Sequence, residues 1–169
     1  MIYDYIIVGT GVAGLNAARL IPKDKRVLIL CKMSTWNCNT FWAQGGIASA
    51  VDESDIPTHI KDTLEAGVNY NDKEAVELLS HKSISTIKNL IHDGMKFDLN
   101  NEGKLAYTKE AAHSRNRILH ADVDATGRMI HIFLESVVST QSSYRVVHSP
   151  ASSSIGILMR STPDLPVRY

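Results

Sequence analysis

The 169-residue chain has few cysteines and no excess of charge of either sign. Its two cysteines, Cys31 and Cys38, are too few for the disulfide framework of a small secreted domain. Lys plus Arg and Asp plus Glu number 18 each, so no overall field attracts nucleic acid. No apolar run approaches the roughly 18 residues of a membrane span, and the first residues carry no basic leader. We therefore expect a cytoplasmic protein with no nucleic-acid or membrane partner.

The histidines do not predict a metal site either. None of the seven stands in an H-x-x-x-H arrangement or at zinc-ligand spacing from a cysteine. Hydrophobic residues make up 44% of the chain, which is enough for a packed core. The length is that of about one domain.

The first thirty residues predict a strand, a helix and a second strand. Residues 3–8 form a short apolar run, which we interpret as a central strand because it stops at Gly9. Residues 12–21 have helical spacing, and residues 26–31 are a second apolar run. This succession has the length of one βαβ unit, in which the two strands lie parallel. The predicted class is α/β, with a Rossmann-like parallel sheet.

Three further helices are predicted along the chain. The first covers residues 57–66 and stops at Gly67. The second starts at a capping box formed by Asn71 and Glu74 and continues to Gly94. The last starts within residues 124–127, and residues 100–103 predict a turn between two short strands.

A glycine motif joins the first predicted strand to the first helix. In G-x-G-x-x-G the first glycine permits the tight turn, the second admits a pyrophosphate, and the third lets helix and strand pack closely. The helix N-terminus offers free N–H groups to the phosphates. The motif therefore predicts dinucleotide binding, with a plain structural turn as the alternative. Its residues are Gly9, Thr10, Gly11, Val12, Ala13 and Gly14.

The ribose position departs from the usual dinucleotide fingerprint. About 20 residues after the glycines an Asp or Glu normally accepts from the 2′-hydroxyl, but this chain has Cys31 and Lys32. A lysine cannot accept a hydrogen bond, although it can donate to ribose or phosphate oxygens. Lys32 is thus either a cofactor contact or a solvated strand end, and Cys31 is expected to be a buried strand residue.

A second glycine motif, N-T-F-W-A-Q-G-G-I-A at residues 39–48, follows soon after the second strand. Its small residues and hydrogen-bonding side chains allow backbone groups to approach the edge of a planar ligand. Taken alone, the motif is equally consistent with a tight loop between packed elements.

Together, the two motifs make the chain resemble the FAD-binding region of L-aspartate oxidases. G-T-G-V-A-G-L at residues 9–15 and T-F-W-A-Q-G-G-I-A at residues 40–48 carry most of the resemblance. It extends to H-I-K-D-T-L-E-A-G at 59–67, T-K-E-A-A-H-S at 108–114 and R-I-L-H-A-D-V-D-A-T-G at 117–127. That family shares its flavin fold with the flavoprotein subunits of succinate dehydrogenase and fumarate reductase.

The resemblance implies that the chain binds FAD. It places Lys32 and residues 10–13 at the cofactor, together with the second motif, whose residues are Asn39, Thr40, Phe41, Trp42, Ala43, Gln44, Gly45 and Gly46. Succinate dehydrogenases typically have a flavin-linked histidine at the position of Asn39. Because an asparagine offers no such nucleophile, we expect the FAD to be non-covalent.

The resemblance also implies an activity, the oxidation of L-aspartate to iminoaspartate in NAD biosynthesis. Oxygen or fumarate would reoxidise the flavin, and the product could pass to quinolinate synthase. Glu110 matches a glutamate that orients the substrate's amino group, but the usual R-E-G-G-H-S is K-E-A-A-H-S here. The alternatives are a flavoprotein fragment like those of fumarate reductase or succinate dehydrogenase, and a non-catalytic nucleotide-binding module.

Two further segments of the sequence have alternative interpretations. The cationic stretch with His113, Arg115, Arg117 and His120 is either a contact to flavin or dicarboxylate or a solvated loop. Residues 1–138 are expected to be the N-terminal part of an FAD-binding domain, and 139–169 a divergent, serine-rich tail that is disordered or frameshifted. The family's catalytic residues have no counterpart in the chain, so we expect it to be inactive alone.

Overall fold

The computed structural model describes residues 2–141 and 144–148 and contains a parallel sheet. Its strands are β1 (Tyr5–Val8), β2 (Val27–Cys31) and β6 (Tyr144–His148), in the order β1-β2-β6. Helix α1 (Val12–Leu20) connects the first two strands, which pair in parallel. The predicted βαβ unit and the α/β class are confirmed.

Strand β1 is not central among the described strands. It pairs with β2 on one side only, and Tyr5, Ile6 and Val8 are 46%, 52% and 69% exposed. The prediction of a central strand is therefore wrong for the described residues. Its apolar composition is that of a strand covered on both faces, and here one edge and much of a face remain open.

A small antiparallel sheet follows in the chain. Its strands are β3 (Ile47–Ala48), β4 (Tyr107–Thr108) and β5 (Ile118–Leu119), in the order β3-β5-β4. One helical turn, α2 (Asn39–Trp42), precedes β3. This sheet joins the end of the second glycine motif to the segment that contains Glu110.

The three later helices are α3 (Ile56–Ala66), α4 (Lys73–His92) and α5 (Thr126–Ser139), and a 3-10 turn (Glu53–Asp55) precedes α3. All three predicted helices are confirmed.

The predicted N-cap of α4 is wrong by one residue. The side chain of Asp72 accepts from the backbone N–H of Ala75 at 3.1 Å, while Asn71 donates to the carbonyl of Thr63. The loop sequence offers two adjacent capping side chains, and the packing of Asn71 against α3 decides between them. The predicted turn at 100–103 is present, but a single bridge between Leu99 and Leu105 replaces the two short strands.

The core lies between the parallel sheet and helices α1, α4 and α5. Tyr144 of β6 closes one side of it, because its hydroxyl donates to the carbonyl of Ala18 at 2.6 Å near the end of α1. Burial of these side chains fixes the carboxyl ends of β1 and β2 relative to α5. The most deeply buried apolar members are Leu15, Ala18, Val27, Ile29, Leu119, Ala121, Leu134 and Val138.

Strand β6 lies in the segment that the sequence predicts to be a divergent tail. Residues 144–148 pair with β2 over five positions instead. The adjacent β-branched residues Val146 and Val147 and the aromatic Tyr144 favour a strand, although serines surround them in the sequence. The other residues of the predicted tail beyond 141 lie outside the described residues, so the boundary at 138 stays a prediction. No helix in the described part of the chain is long and apolar enough to cross a membrane.

Candidate functional site

The first glycine motif forms the turn between β1 and α1. Gly9 has a φ of +105°, a conformation that side-chain-bearing residues rarely adopt. Its N–H donates to the carbonyl of Leu30 at 2.7 Å, so the turn begins where β1 is still bound to β2. The predicted role of Gly9 in the tight turn agrees with this geometry.

The other two glycines of the motif differ in the space around them. A Cβ on Gly14 would lie 2.2 Å from the carbonyl oxygen of Gly9, so a side chain there would force helix and strand apart. A Cβ on Gly11 would meet only the hydroxyl of Thr40, at 3.4 Å. Gly14 thus serves packing, whereas Gly11 leaves open space at the start of α1.

The N-terminus of α1 faces the second motif. Gly11 is the N-cap and has no side chain to satisfy the first N–H groups of the helix. The N–H of Val12 donates to the hydroxyl of Thr40 at 2.9 Å, and Val12 and Ala13 are exposed. The structure therefore brings the two motifs together at a helix terminus that favours negative charge.

The segment after β2 is hydrogen-bonded to the first glycine motif, residues 9–14, which we call the phosphate loop. The hydroxyl of Thr10, which is 3% exposed, donates to the carbonyl of Thr35 at 2.8 Å. Lys32 is exposed at the carboxyl end of β2. Cys31 is buried, as predicted, and burial raises the pKa of its thiol above the usual range, with a smaller contribution from Glu135.

The second motif contains one open and one crowded glycine. Nothing lies within 4 Å of a Cβ built on Gly45. A Cβ on Gly46 would lie 2.6 Å from the carbonyl oxygen of Leu119 and 3.0 Å from Cε1 of His120. The motif is thus pressed against β5 at Gly46, and this contact brings His120 beside it.

Glu110 and His120 lie near each other at this point. Nε2 of His120 is 2.8 Å from the hydroxyl of Thr108 and 4.0 Å from Oε1 of Glu110. The Glu110 side chain is 54% exposed. A cavity of about 290 Å³ adjoins the group and is lined by Asp98, Ala106, Thr108, His120 and Val123. An exposed carboxylate beside a cavity is suited to pair with a cationic ligand.

The loop after Glu110 contains a backbone feature that the sequence predicts in part. Ala112 has a φ of +67°, at one of the two positions where the resembling family has glycine. An alanine is strained in this region of φ because its Cβ approaches the neighbouring carbonyl. This chain therefore adopts, with an alanine, a backbone conformation that favours glycine.

Arg117 is buried, and it is neither a solvated side chain nor an available ligand contact. It is 0% exposed and donates to both carboxylate oxygens of Asp55, at 2.8 and 3.2 Å, and also to Asp62. Burial lowers the pKa of the guanidinium, but the two aspartates outweigh this and raise it. Neither aspartate is among the site residues predicted from the sequence, although Asp62 lies on the same buried helix face as His59.

Arg117, Asp55 and Asp62 form a buried ion network, and this network anchors the loop that carries Glu110. Both the N–H and the hydroxyl of Ser114 donate to Oδ2 of Asp62 at 2.8 Å. Burial raises the pKa of Asp62, but hydrogen bonds from Ser114 and Arg117 lower it to about 2. Nδ1 of His113 lies 3.2 Å from a guanidinium nitrogen of Arg117, and because that group only donates, Nδ1 is the acceptor.

Aromatic side chains of the second motif border another cavity. It measures about 240 Å³, and its lining includes Phe41, Trp42, Gln44 and Arg128. Phe41 and Trp42 pack edge to face with ring centroids 5.3 Å apart, and Trp42 is 63% exposed. Within residues 2–141 and 144–148 no group of His, Cys, Asp or Glu could hold a metal ion.

Comparison with known proteins identifies the family. The profile of the FAD binding domain family matches residues 4–148, which include both glycine motifs and all six strands. The chain belongs to this family. Its cofactor is FAD, as the resemblance implied.

Curated relatives of this FAD binding domain are L-aspartate oxidases. The enzyme of Clostridium acetobutylicum is 42% identical over 146 residues, which is 86% of this chain and 33% of that protein. The enzyme of Nostoc sp. strain PCC 7120 is 39% identical over 154 residues, 90% of this chain and 26% of that protein. The chain thus spans between about a quarter and a third of the length of these relatives.

Solved structures share the fold of this FAD binding domain. Mycobacterium smegmatis Sdh1 in complex with UQ1 superposes with a TM-score of 0.78 at 26% identity, over 86% of this chain and 27% of that chain. The quinol fumarate reductase of Escherichia coli has a TM-score of 0.78 at 22% identity, over 85% of this chain and 25% of that chain. At 22% identity, the similarity to the Escherichia coli protein shows a shared fold alone.

The residues present fit FAD in this family. The exposed start of α1, where Gly11 supplies no capping side chain, suits a pyrophosphate, and the open side of Gly11 admits it close to the backbone. Thr40 connects that point to the second motif, where the open Gly45 and the exposed Gln44 leave backbone groups accessible. Lys32 is exposed at the carboxyl end of β2, next to this site. Its contact with the cofactor stays a prediction.

Proposed function

We propose that the chain is the N-terminal part of the FAD-binding domain of an L-aspartate oxidase, which converts L-aspartate to iminoaspartate in NAD biosynthesis. The observation that carries this proposal is the position of Glu110 beside His120, which itself lies against Gly46 at the end of the second motif. Identities of 39% and 42% to L-aspartate oxidases support it.

The chemistry assigns Glu110 a simple task. Bound FAD would supply a two-electron acceptor for the hydride from the substrate's Cα. Glu110 would pair with the α-ammonium group, which L-aspartate has and succinate lacks. Its 54% exposed side chain is accessible for this contact, and the Asp62–Ser114 bonds hold the loop that carries it.

The phosphate loop and the second motif would hold the cofactor without a covalent bond. The carboxamide of Asn39 is not a nucleophile toward the flavin. We expect all flavin to be released when the protein is denatured in acid, with none left on the polypeptide. Flavin that stays on the chain after denaturation would contradict this part of the proposal.

The remaining features of the reaction are part of the same proposal. The acceptor would be oxygen or fumarate, the enzyme would act in the cytoplasm, and iminoaspartate would pass to quinolinate synthase. Among the described residues Glu110 is the one side chain we assign to the substrate. We therefore propose that residues 1–169 alone bind FAD but do not oxidise L-aspartate.

A chimera tests the proposed activity. Residues 1–148 would replace the corresponding segment of the Clostridium acetobutylicum enzyme, and oxidation of L-aspartate and of succinate would be followed by flavin reduction. We expect reduction by L-aspartate, and we expect E110Q to raise the KM for L-aspartate more than it lowers kcat. Substitution of an exposed carboxylate on α4, E74Q, is the control.

The same chimera separates the alternative flavoprotein function. The structural similarity to Mycobacterium smegmatis Sdh1 makes a succinate-oxidising or fumarate-reducing protein the second candidate. A chimera that binds FAD and is reduced by succinate, but not by L-aspartate, would overturn the L-aspartate oxidase proposal. A chimera that binds nucleotide with no flavin reduction by either would favour a non-catalytic module.

A further inference from the structure

The carbonyl oxygen of Thr35 accepts two hydrogen bonds from distant parts of the chain. One comes from the hydroxyl of Thr10 at 2.8 Å, and the other from Nε2 of His131 at 3.0 Å. Because a carbonyl oxygen only accepts, Nε2 of His131 must carry the ring proton. Both lone pairs of this oxygen are therefore occupied, one from the phosphate loop and one from α5.

His131 is fixed in this orientation by its surroundings. Its side chain is 0% exposed, and the ring of Phe41 packs against it edge to face, with centroids 5.5 Å apart. Nδ1 is buried without a hydrogen-bond partner among the described residues, and Oε2 of Glu135 lies 3.9 Å away. The bond to Thr35 is thus the hydrogen bond that offsets the burial of a polar ring here.

Thr35 belongs to the connection between β2 and α2, residues 32–38. This connection begins at Lys32, which the sequence predicts to contact the cofactor, and Thr10 is part of the phosphate loop. The bond from Thr10 therefore joins the connection to the phosphate loop, and the bond from His131 joins it to α5. A pre-formed site binds its ligand more tightly because no binding free energy is lost in ordering its loops.

We propose that His131 is a positioning residue for the ADP half of the cofactor. It acts through Thr35 by holding residues 32–38, which Thr10 joins to the phosphate loop, in place against α5, and it does not contact the ligand. This inference rests on the assignment of FAD as the cofactor of the chain. Packing alone does not account for the residue, because a leucine would fill a similar volume without burying an unpaired nitrogen.

The test is the affinity of the 169-residue chain for ADP, measured by titration calorimetry. H131L keeps the bulk of the side chain but removes the donor, and we expect it to weaken ADP binding by about tenfold, the equivalent of one hydrogen bond. H131Q keeps an N–H donor, and we expect its affinity to stay within about twofold of wild type. H81L changes an exposed histidine of α4 and is the matched control.

A coupling measurement separates positioning from general stability. T10V removes the other donor to the same oxygen, so T10V and H131L should be non-additive in ADP affinity, while independent structural effects would add. If H131L does not fold, H131M takes its place in the cycle.

Each outcome decides between the readings. Additive effects, or equal ADP affinity in H131L and wild type, would overturn the role of His131 and leave the cofactor assignment intact. No binding of ADP or FAD by the wild-type chain would overturn both.

Discussion

Nη2 of Arg117 lies 2.8 Å from Oδ1 of Asp55, and neither side chain is exposed to solvent. The same guanidinium binds Asp62 of α3, whose carboxylate also accepts from Ser114. This ion network joins the 3-10 turn, α3 and the loop that follows Glu110. The position of the proposed substrate glutamate therefore depends on Asp55 and Asp62, two buried carboxylates that lie far from it in the sequence.

The network predicts loss of stability in acid. The pKa of Asp62 is about 2 in the folded chain, below its value of about 3.9 when unfolded. A lowered folded pKa contributes stability that is complete above the unfolded value and is lost as the pH falls from about 4 to about 2. Urea unfolding between pH 2 and pH 7 should show this loss.

D62N should remove that part of the pH dependence. It weakens the contact to the buried Arg117, which keeps both bonds to Asp55, so we expect the free energy of unfolding at pH 7 to fall by about 1–3 kcal/mol. D24N, which changes an exposed aspartate, is the control. An acid transition in D62N that equals the wild-type one would show that Asp62 is not its source.

Ala112 predicts a stabilising substitution. Its φ of +67° is costly for alanine, so A112G should raise the free energy of unfolding by about 0.5–1 kcal/mol. The neighbouring A111G, at a position without positive φ, should lower it by a similar amount because glycine has more freedom when unfolded. Thermal or urea unfolding of the two variants compares them directly, and an equal loss in both would refute the strain at Ala112.

Substitution by alanine should lower the stability of the chain at Gly14 but not at Gly45. A Cβ at Gly14 would meet the Gly9 carbonyl at 2.2 Å, so G14A should cost about 1–3 kcal/mol or more of stability. G45A meets nothing within 4 Å and should leave unfolding within about 0.5 kcal/mol of wild type. Equal unfolding midpoints for the two variants would contradict the close approach of α1 to β1.

Local patterns predict much of this fold because the information lies in neighbouring residues. The run before Gly9, the helical spacing after it and the second apolar run define the βαβ unit, and the later helices follow from periodicity. The edge position of β1 and the pairing of β6 with β2 do not follow, because strand order depends on partners more than a hundred residues apart. Tertiary packing likewise decides between Asn71 and Asp72 as the cap of α4.

In the candidate site, too, local sequence predicts some features, whereas others depend on residues that are distant in the sequence. The glycine motif predicts the turn at Gly9 and the close packing at Gly14, and the resemblance predicts the roles of Glu110 and the second motif. The burial of Arg117 could not be predicted from a cationic stretch, because its partners Asp55 and Asp62 lie more than fifty residues earlier. His131 and Thr35 come together only in the folded chain, across 96 positions.

Titration of the purified chain with FAD, comparing wild type with G11A, tests the central claim most directly. A methyl group at Gly11 would meet Thr40 only at 3.4 Å, so the fold should be unaffected, but it occupies the open side that a pyrophosphate would approach. The account predicts saturable FAD binding with a shifted flavin spectrum, and at least about tenfold weaker binding by G11A at equal thermal stability. No saturable binding by the wild-type chain, or equal affinity in G11A, would contradict it.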